Sequence, residues 1–100
     1  MKTKQLCIDD IAGRYFYLEE SLLEMAILSM YSIIEDYGFA SVNKWLSLLN
    51  VGTVKDGDAY GWNDKNATFD VVYSTDTLPN GKTVLRIIHK NNPPVRNYIQ

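Results

Sequence analysis

Leu78-Pro79-Asn80-Gly81-Lys82 is the segment that most restricts what this chain can fold into. Pro79 and Asn80 suit the two central positions of a type I turn, and Gly81 suits the left-handed residue of the G1 bulge that follows. A three-residue loop of this kind pairs Leu78 with Lys82 and fixes the register of both flanking runs. Thr75 then faces Leu85, Tyr73 faces Ile87, Val71 faces His89 and Phe69 faces Asn91. On the other side Asp76 meets Val84, Ser74 meets Arg86, Val72 meets Ile88 and Asp70 meets Lys90. The first side is the expected core face. The second is mostly solvated, with opposite charges across the strands at Asp70 and Lys90. Two strands alone are marginal, so the Tyr60–Trp62 segment is expected to add a third. Pro93-Pro94 stops the last strand and leaves Val95–Gln100 as an extended tail.

The first half reads as helical. From about Arg14 to Tyr37, apolar residues recur at Leu23, Ala26, Ile27, Met30, Ile34 and Tyr37, the spacing of one helix face. Leu22, Met25 and Leu28 add a second apolar flank, so this helix is packed on two sides or self-associates. At about 1.5 Å per residue it would run roughly 35 Å. Gly38 suits the left-handed position after the helix, with Phe39 covering Ile34. Ser41 is the expected N-cap of a second helix, in which Val42, Trp45, Leu46 and Leu49 share a face and Asn50 closes the end. The short Gly38–Ala40 link makes the two helices neighbours. Residues 1–13 read as a leader with a possible helical turn ending at Gly13.

The expected fold is therefore α+β in one domain of residues 1–100: a long N-terminal helix and a short second helix packed on one face of a small antiparallel sheet containing the C-terminal β-hairpin. Its parts are a leader (1–13), a helical half (14–50), a loop (51–67), the hairpin (68–94) and a tail (95–100). One hundred residues bury roughly two-thirds of their unfolded surface, enough for one modest core.

Charge narrows the function classes. The net charge is −2 with a sequence pI near 5.2. Residues 1–50 hold four basic and seven acidic groups, net −3, and residues 51–100 hold six basic and five acidic, net +1. That balance argues against a nucleic-acid partner, since phosphate binders carry a basic face. A strip of Lys82, Arg86, Lys90 and Arg96 is too thin to reverse it. Cys7 is the single cysteine, so neither an intramolecular disulfide nor a cysteine-based metal site can form. Lys2 and Lys4 lead into Cys7-Ile8 and Asp9-Asp10, not into the apolar stretch of a signal peptide. The charge-free run Met25–Ile34 is too short to cross a bilayer, which takes about 20 residues. A cytoplasmic location with no membrane contact is expected.

The loop Val51–Asp70 holds the residues with chemical interest. Gly57-Asp58-Ala59-Tyr60-Gly61-Trp62-Asn63-Asp64 sets two large aromatics among carboxylates and glycines. Asp58, Tyr60, Trp62 and Asp64 are the candidate binding residues. The competing expectation makes Trp62 a structural plug, with Tyr60 more exposed. Asp56-Gly57-Asp58 begins like a calcium loop, but Tyr60 stands at position 5 and Ala67 at position 12, where a bidentate Glu is needed. A turn-rich connection, with aspartates capping backbone amides, is the plainer account. His89 is the single histidine, and no nucleophile motif accompanies it. The register places it on the core face beside Val71 near the sheet end, where a satisfied edge histidine is expected. Tyr15-Phe16-Tyr17, Tyr31, Tyr37 and Phe39 could stack bases, but Glu19, Glu20 and Glu24 would repel phosphate, which favours packing. Asn66-Ala67-Thr68 matches a glycosylation acceptor that means nothing without secretion. The glycines match neither a P-loop nor a dinucleotide fingerprint.

Tyr37-Gly38-Phe39-Ala40-Ser41-Val42-Asn43-Lys44-Trp45-Leu46-Ser47-Leu48-Leu49, followed by Gly57-Asp58, Gly61-Trp62 and the aromatic-rich Phe69–Tyr73, resembles a family of small proteins of phages, prophages and mobile elements of Gram-positive bacteria. The likeness covers about residues 37–94. Lys44 replaces the acidic residue that usually follows the Asn. The resemblance implies a mobile-element origin and supplies no catalytic residue and no cofactor.

Two readings follow. One is a non-enzymatic protein-interaction module, an accessory or host-modulating (inhibitor) protein, whose partner is a host or phage protein or a second copy bound through Leu22, Met25 and Leu28. The alternative is a small-ligand-binding protein or enzyme that uses the Gly57–Asp64 loop.

Overall fold

The computed structural model describes residues 4–65, 68–91 and 95–96, the last two by backbone alone. The described elements follow the order β1 (Lys4–Asp9), β2 (Tyr15–Glu19), α1 (Glu20–Tyr37), β3 (Phe39–Ser41), α2 (Val42–Leu48), β4 (Tyr60–Asn63), β5 (Val71–Thr77), β6 (Thr83–His89) and β7 (Val95–Arg96). The fold is α+β. A four-stranded sheet has the order β2-β1-β6-β5, and a three-stranded sheet has the order β3-β4-β7.

The hairpin forms as its turn residues dictate. Leu78 N–H donates to Lys82 O (2.7 Å), Gly81 N–H donates to Leu78 O (2.9 Å), and Gly81 takes φ +87°. The ladder runs from Val71–His89 to Thr77–Thr83 in the expected register. Asp70 and Lys90 approach to 3.7 Å. The Pro93-Pro94 stop lies outside the described residues, as does the tail beyond Arg96. Val95 and Arg96 form a short strand on β4 in place of the start of a free tail.

The helix signals also act locally. Gly38 adopts φ +79° and its N–H donates to Ile34 O. Ser41 Oγ accepts from Lys44 N–H (3.0 Å), and Asn50 has φ +62°. Leu23, Ala26, Met30 and Ile34 of α1 are buried, as are Val42, Trp45, Leu46 and Leu49. Tyr37 ends the expected stripe but is 81% exposed, because it sits on the last residue before the chain turns away. The Gly38–Ala40 link is itself partly strand, since β3 pairs with β4.

Of the segment read as a leader, Lys4–Asp9 forms a strand of the main sheet. It is an interior strand, antiparallel to β2 and parallel to β6, so the main sheet is mixed. The helix begins at Glu20, because Tyr15-Phe16-Tyr17 is an aromatic run that favours strand. At 18 residues α1 is about 27 Å long. Nor does Tyr60–Trp62 extend the hairpin's sheet; Gly61 and Trp62 pair with Ser41 and Ala40, and Tyr60 pairs with Arg96. Tyr15–Tyr17 and Phe39 accordingly lie in strands, not on the helix.

The core lies where α1, α2 and the small sheet meet one face of the large sheet. Cys7, Leu18 and Ile87 point into it from the large sheet, with Met30, Trp45, Leu46, Trp62 and Phe69 opposite. The outer face carries Leu6 and Ile8, the exposed Tyr15 and Tyr17, and Arg86 bridging Asp10 (3.3 Å) and Asp76 (3.0 Å).

Candidate functional site

Alternation along β1 turns Cys7 and Asp9 to the inner face. The parallel ladder sets Asp9 beside Ile87, and His89 follows two residues on, on the same face. The side chains of Asp9 and His89 are 0% and 3% exposed, with His89 Nε2 2.9 Å from Asp9 Oδ2. Trp45 Nε1–H donates to the same oxygen (2.8 Å). Asp9 Oδ1 accepts from Ile11 N–H (2.9 Å) and Ala12 N–H (3.2 Å), which closes the turn between β1 and β2.

Burial alone pushes the Asp9 carboxyl up. The hydrogen bond and charge of His89, with the Trp45 and Ile11 donors, outweigh it and hold Asp9 below the usual carboxylate range. An ionised carboxylate only accepts, so His89 Nε2 carries the proton and donates. His89 Nδ1 is buried without a hydrogen-bond partner among the described residues.

Aromatic rings seal this pair. Trp62 stacks on His89 with ring centres 5.0 Å apart and planes 22° apart, and Trp45 meets its edge at 5.7 Å and 90°. Phe69 lies 5.0 Å from each of Trp45 and Trp62. A hydrogen-bonded Asp–His pair is the orienting half of a general-base arrangement, but the free ring nitrogen must reach a substrate. Here Nδ1 is enclosed. Cys7, two residues from Asp9, has its thiol on Gln5 O (3.3 Å) and pushed up to about 11 by burial, so it stays protonated. The arrangement holds four donors on one buried carboxylate and ties β1, α2 and β6 together.

His89 is thus neither at a sheet edge nor fully satisfied. β6 is an interior strand, and one ring nitrogen lacks a partner among the described residues.

The four residues singled out in the loop do not converge. Trp62 is 0% exposed and its indole N–H donates to Asn91 O (3.3 Å), so it is a plug. Gly61 makes this possible: a Cβ there would lie 2.0 Å from Ala40 O, so only glycine allows β3 and β4 to approach. Tyr60 is half-buried in a depression with Ile11, Val42 and Val54. Asp58 is exposed in a different depression, with Tyr37, Phe39 and Lys44. Asp64 is exposed in the bend after β4. Among the described residues, the loop's backbone amides are capped by the side chains of Asn43 and Asn63 and by backbone carbonyls, not by aspartate side chains. Asn43 Oδ1 accepts from Val54 N–H (2.8 Å), and Asn43 N–H donates to Gly57 O (3.0 Å).

Leu22, Met25 and Leu28 are 37%, 63% and 65% exposed on the outer side of α1. Among the described residues, no group of three or more His, Cys, Asp or Glu is placed to hold a metal ion, and no helix is long and apolar enough to cross a membrane.

The model of DUF6353, a family of unknown function, matches residues 1–99. No curated protein and no solved structure matches.

Proposed function

The chain belongs to the DUF6353 family, whose function is unknown, and we propose that it is a non-enzymatic protein-interaction module that self-associates through the outer flank of α1. The observation that carries this reading is the exposure of Leu22, Met25 and Leu28 on one helix whose run Met25–Ile34 contains no charge. A solvated helix face ordinarily carries charged side chains, and clustered exposed apolar residues mark contact surfaces. The sealing of Asp9 and His89 beneath Trp45 and Trp62 supports a structural role for the pair best equipped for catalysis. The resemblance over residues 37–94 supports placing the module among accessory or host-modulating proteins of a phage or mobile element, acting in the bacterial cytoplasm.

Light scattering over a concentration series tests the self-association. The parent should reach the mass of a dimer or larger assembly. A variant with Met25→Glu and Leu28→Glu, both at exposed positions, should keep its fold and remain a monomer. A parent that stays monomeric at its highest soluble concentration would sink the proposal.

A further inference from the structure

We propose that the half-open cavity between the N-terminal turns of α1 and the inner face of the large sheet is an anchor pocket for a lysine side chain of a protein partner. This rests on the interaction reading above and adds the chemistry of the partner. The cavity has a volume of about 240 Å³. Buried Leu18 and Leu23, with half-buried Leu85, form its floor, and the exposed Glu20, Glu24 and Tyr73 form its rim. Pockets for whole small molecules run roughly 300–1,000 Å³, so this one suits a single inserted side chain. The floor offers apolar surface to a methylene stem, and the rim offers carboxylates to its tip. Lysine has both parts, a four-carbon stem and a compact ammonium. Tyr73 sets an aromatic ring at the same rim, and aromatic rings attract cations.

The rim carboxylates lack partners of their own. Asp9, Asp10, Asp70 and Asp76 form ion pairs, whereas Glu19, Glu20 and Glu24 form none among the described residues. Lys4 stands across the β1–β2 ladder from Glu19, and the positive end of α1 favours Glu19 and Glu20 where they are. Neither explanation reaches Glu24, one turn further along. Its charge is felt at Tyr73, whose phenol is pushed up first by burial and then by Glu24. An apolar floor under an uncompensated carboxylate is complementary to a cation on an apolar stem.

An NMR titration of the full chain with N-acetyl-lysine-N-methylamide tests the pocket. Saturable shifts should appear at the Leu18, Leu23 and Leu85 methyl groups. The uncharged N-acetyl-norleucine-N-methylamide should bind at least about fivefold more weakly, as should the lysine probe to Glu24→Gln, the effect of losing one exposed ion pair. Added salt should narrow both differences. Equal binding of the norleucine probe, an unchanged affinity in Glu24→Gln, shifts elsewhere or no saturation would each overturn the inference. Tighter binding of n-pentylammonium than of the lysine probe would overturn it too, in favour of a free-amine site. Light scattering on the same samples reads self-association separately, so loss of lysine selectivity in a protein that still self-associates defeats this inference alone.

Discussion

Replacing Asp9 with Ala removes the acceptor of four donors at once. Two of them, Ile11 N–H and Ala12 N–H, lie in a half-buried turn that water can reach. The other two, Trp45 Nε1–H and His89 Nε2–H, sit in the buried core. A buried donor left unpaired costs about 1–3 kcal/mol. Two such donors together make roughly 2–6 kcal/mol. His89 Nδ1 already lacks a partner among the described residues, so the whole ring would lose its polar contacts there. We expect Asp9→Ala to lose about 4 kcal/mol, a large share of the roughly 5–15 kcal/mol that holds a domain folded. Asp9→Asn should lose about half as much, since its amide keeps one oxygen for one pair of donors.

Urea unfolding followed by the fluorescence of Trp45 and Trp62 measures this directly. With a slope near 1.3 kcal/mol per molar for a domain this size, the midpoint should fall by about 3 M for Asp9→Ala. The pH dependence gives a second reading. The Asp9 pKa is depressed in the fold, so its stabilisation is present above the unfolded value of about 3.9 and is lost as pH falls through the lower folded value. The parent should therefore lose more stability than Asp9→Ala on passing below pH 4. If Asp9→Ala unfolds within about 1 kcal/mol of the parent, the carboxylate does not organise the core and the reasoning is wrong.

Two further substitutions probe the packing and the turn. Trp62→Ala should cost about 3–5 kcal/mol by calorimetry or urea melts, because it opens a cavity beside His89 and Phe69; a variant that melts like the parent would remove Trp62 from the core. Gly81→Val should lower the melting temperature more than Asn80→Asp, since Gly81 holds φ +87° and a β-branched residue resists that conformation, and equal melting points would count against the bulge.

What the sequence disclosed was whatever its neighbours decide. The Pro79-Asn80-Gly81 turn, Gly38, the Ser41 cap and Asn50 each act within four residues, and each adopts the conformation its chemistry favours. β1 was hidden because both of its faces carry apolar residues. Leu6 and Ile8 point out while Cys7 and Asp9 point in, so no polar alternation marks it. Only Glu19-Glu20-Ser21, with no glycine or proline, separates Tyr15–Leu18 from Leu22-Leu23, which disguises β2 as the start of the helix. Trp62 as a plug was legible from Gly61 and the size of its ring. Asp9 with His89 was not, because 80 residues separate them and neither carries a local signature.

The parallel pairing of β1 with β6 sets the order in which the molecule can be completed. During synthesis β1 and β2 emerge first and can pair, but the strand that covers the other edge of β1 ends at His89. At about 5–20 residues per second, that edge waits roughly 4–16 s, with a carboxylate that has no histidine. A nascent chain stalled anywhere before residue 83 therefore presents an open edge strand, the kind of template on which chains stick to one another. The β5–β6 hairpin completes the large sheet only after β1, β2 and both helices have emerged. A truncation that removes β6 parts β1 from β5 and takes Ile87 out of the core.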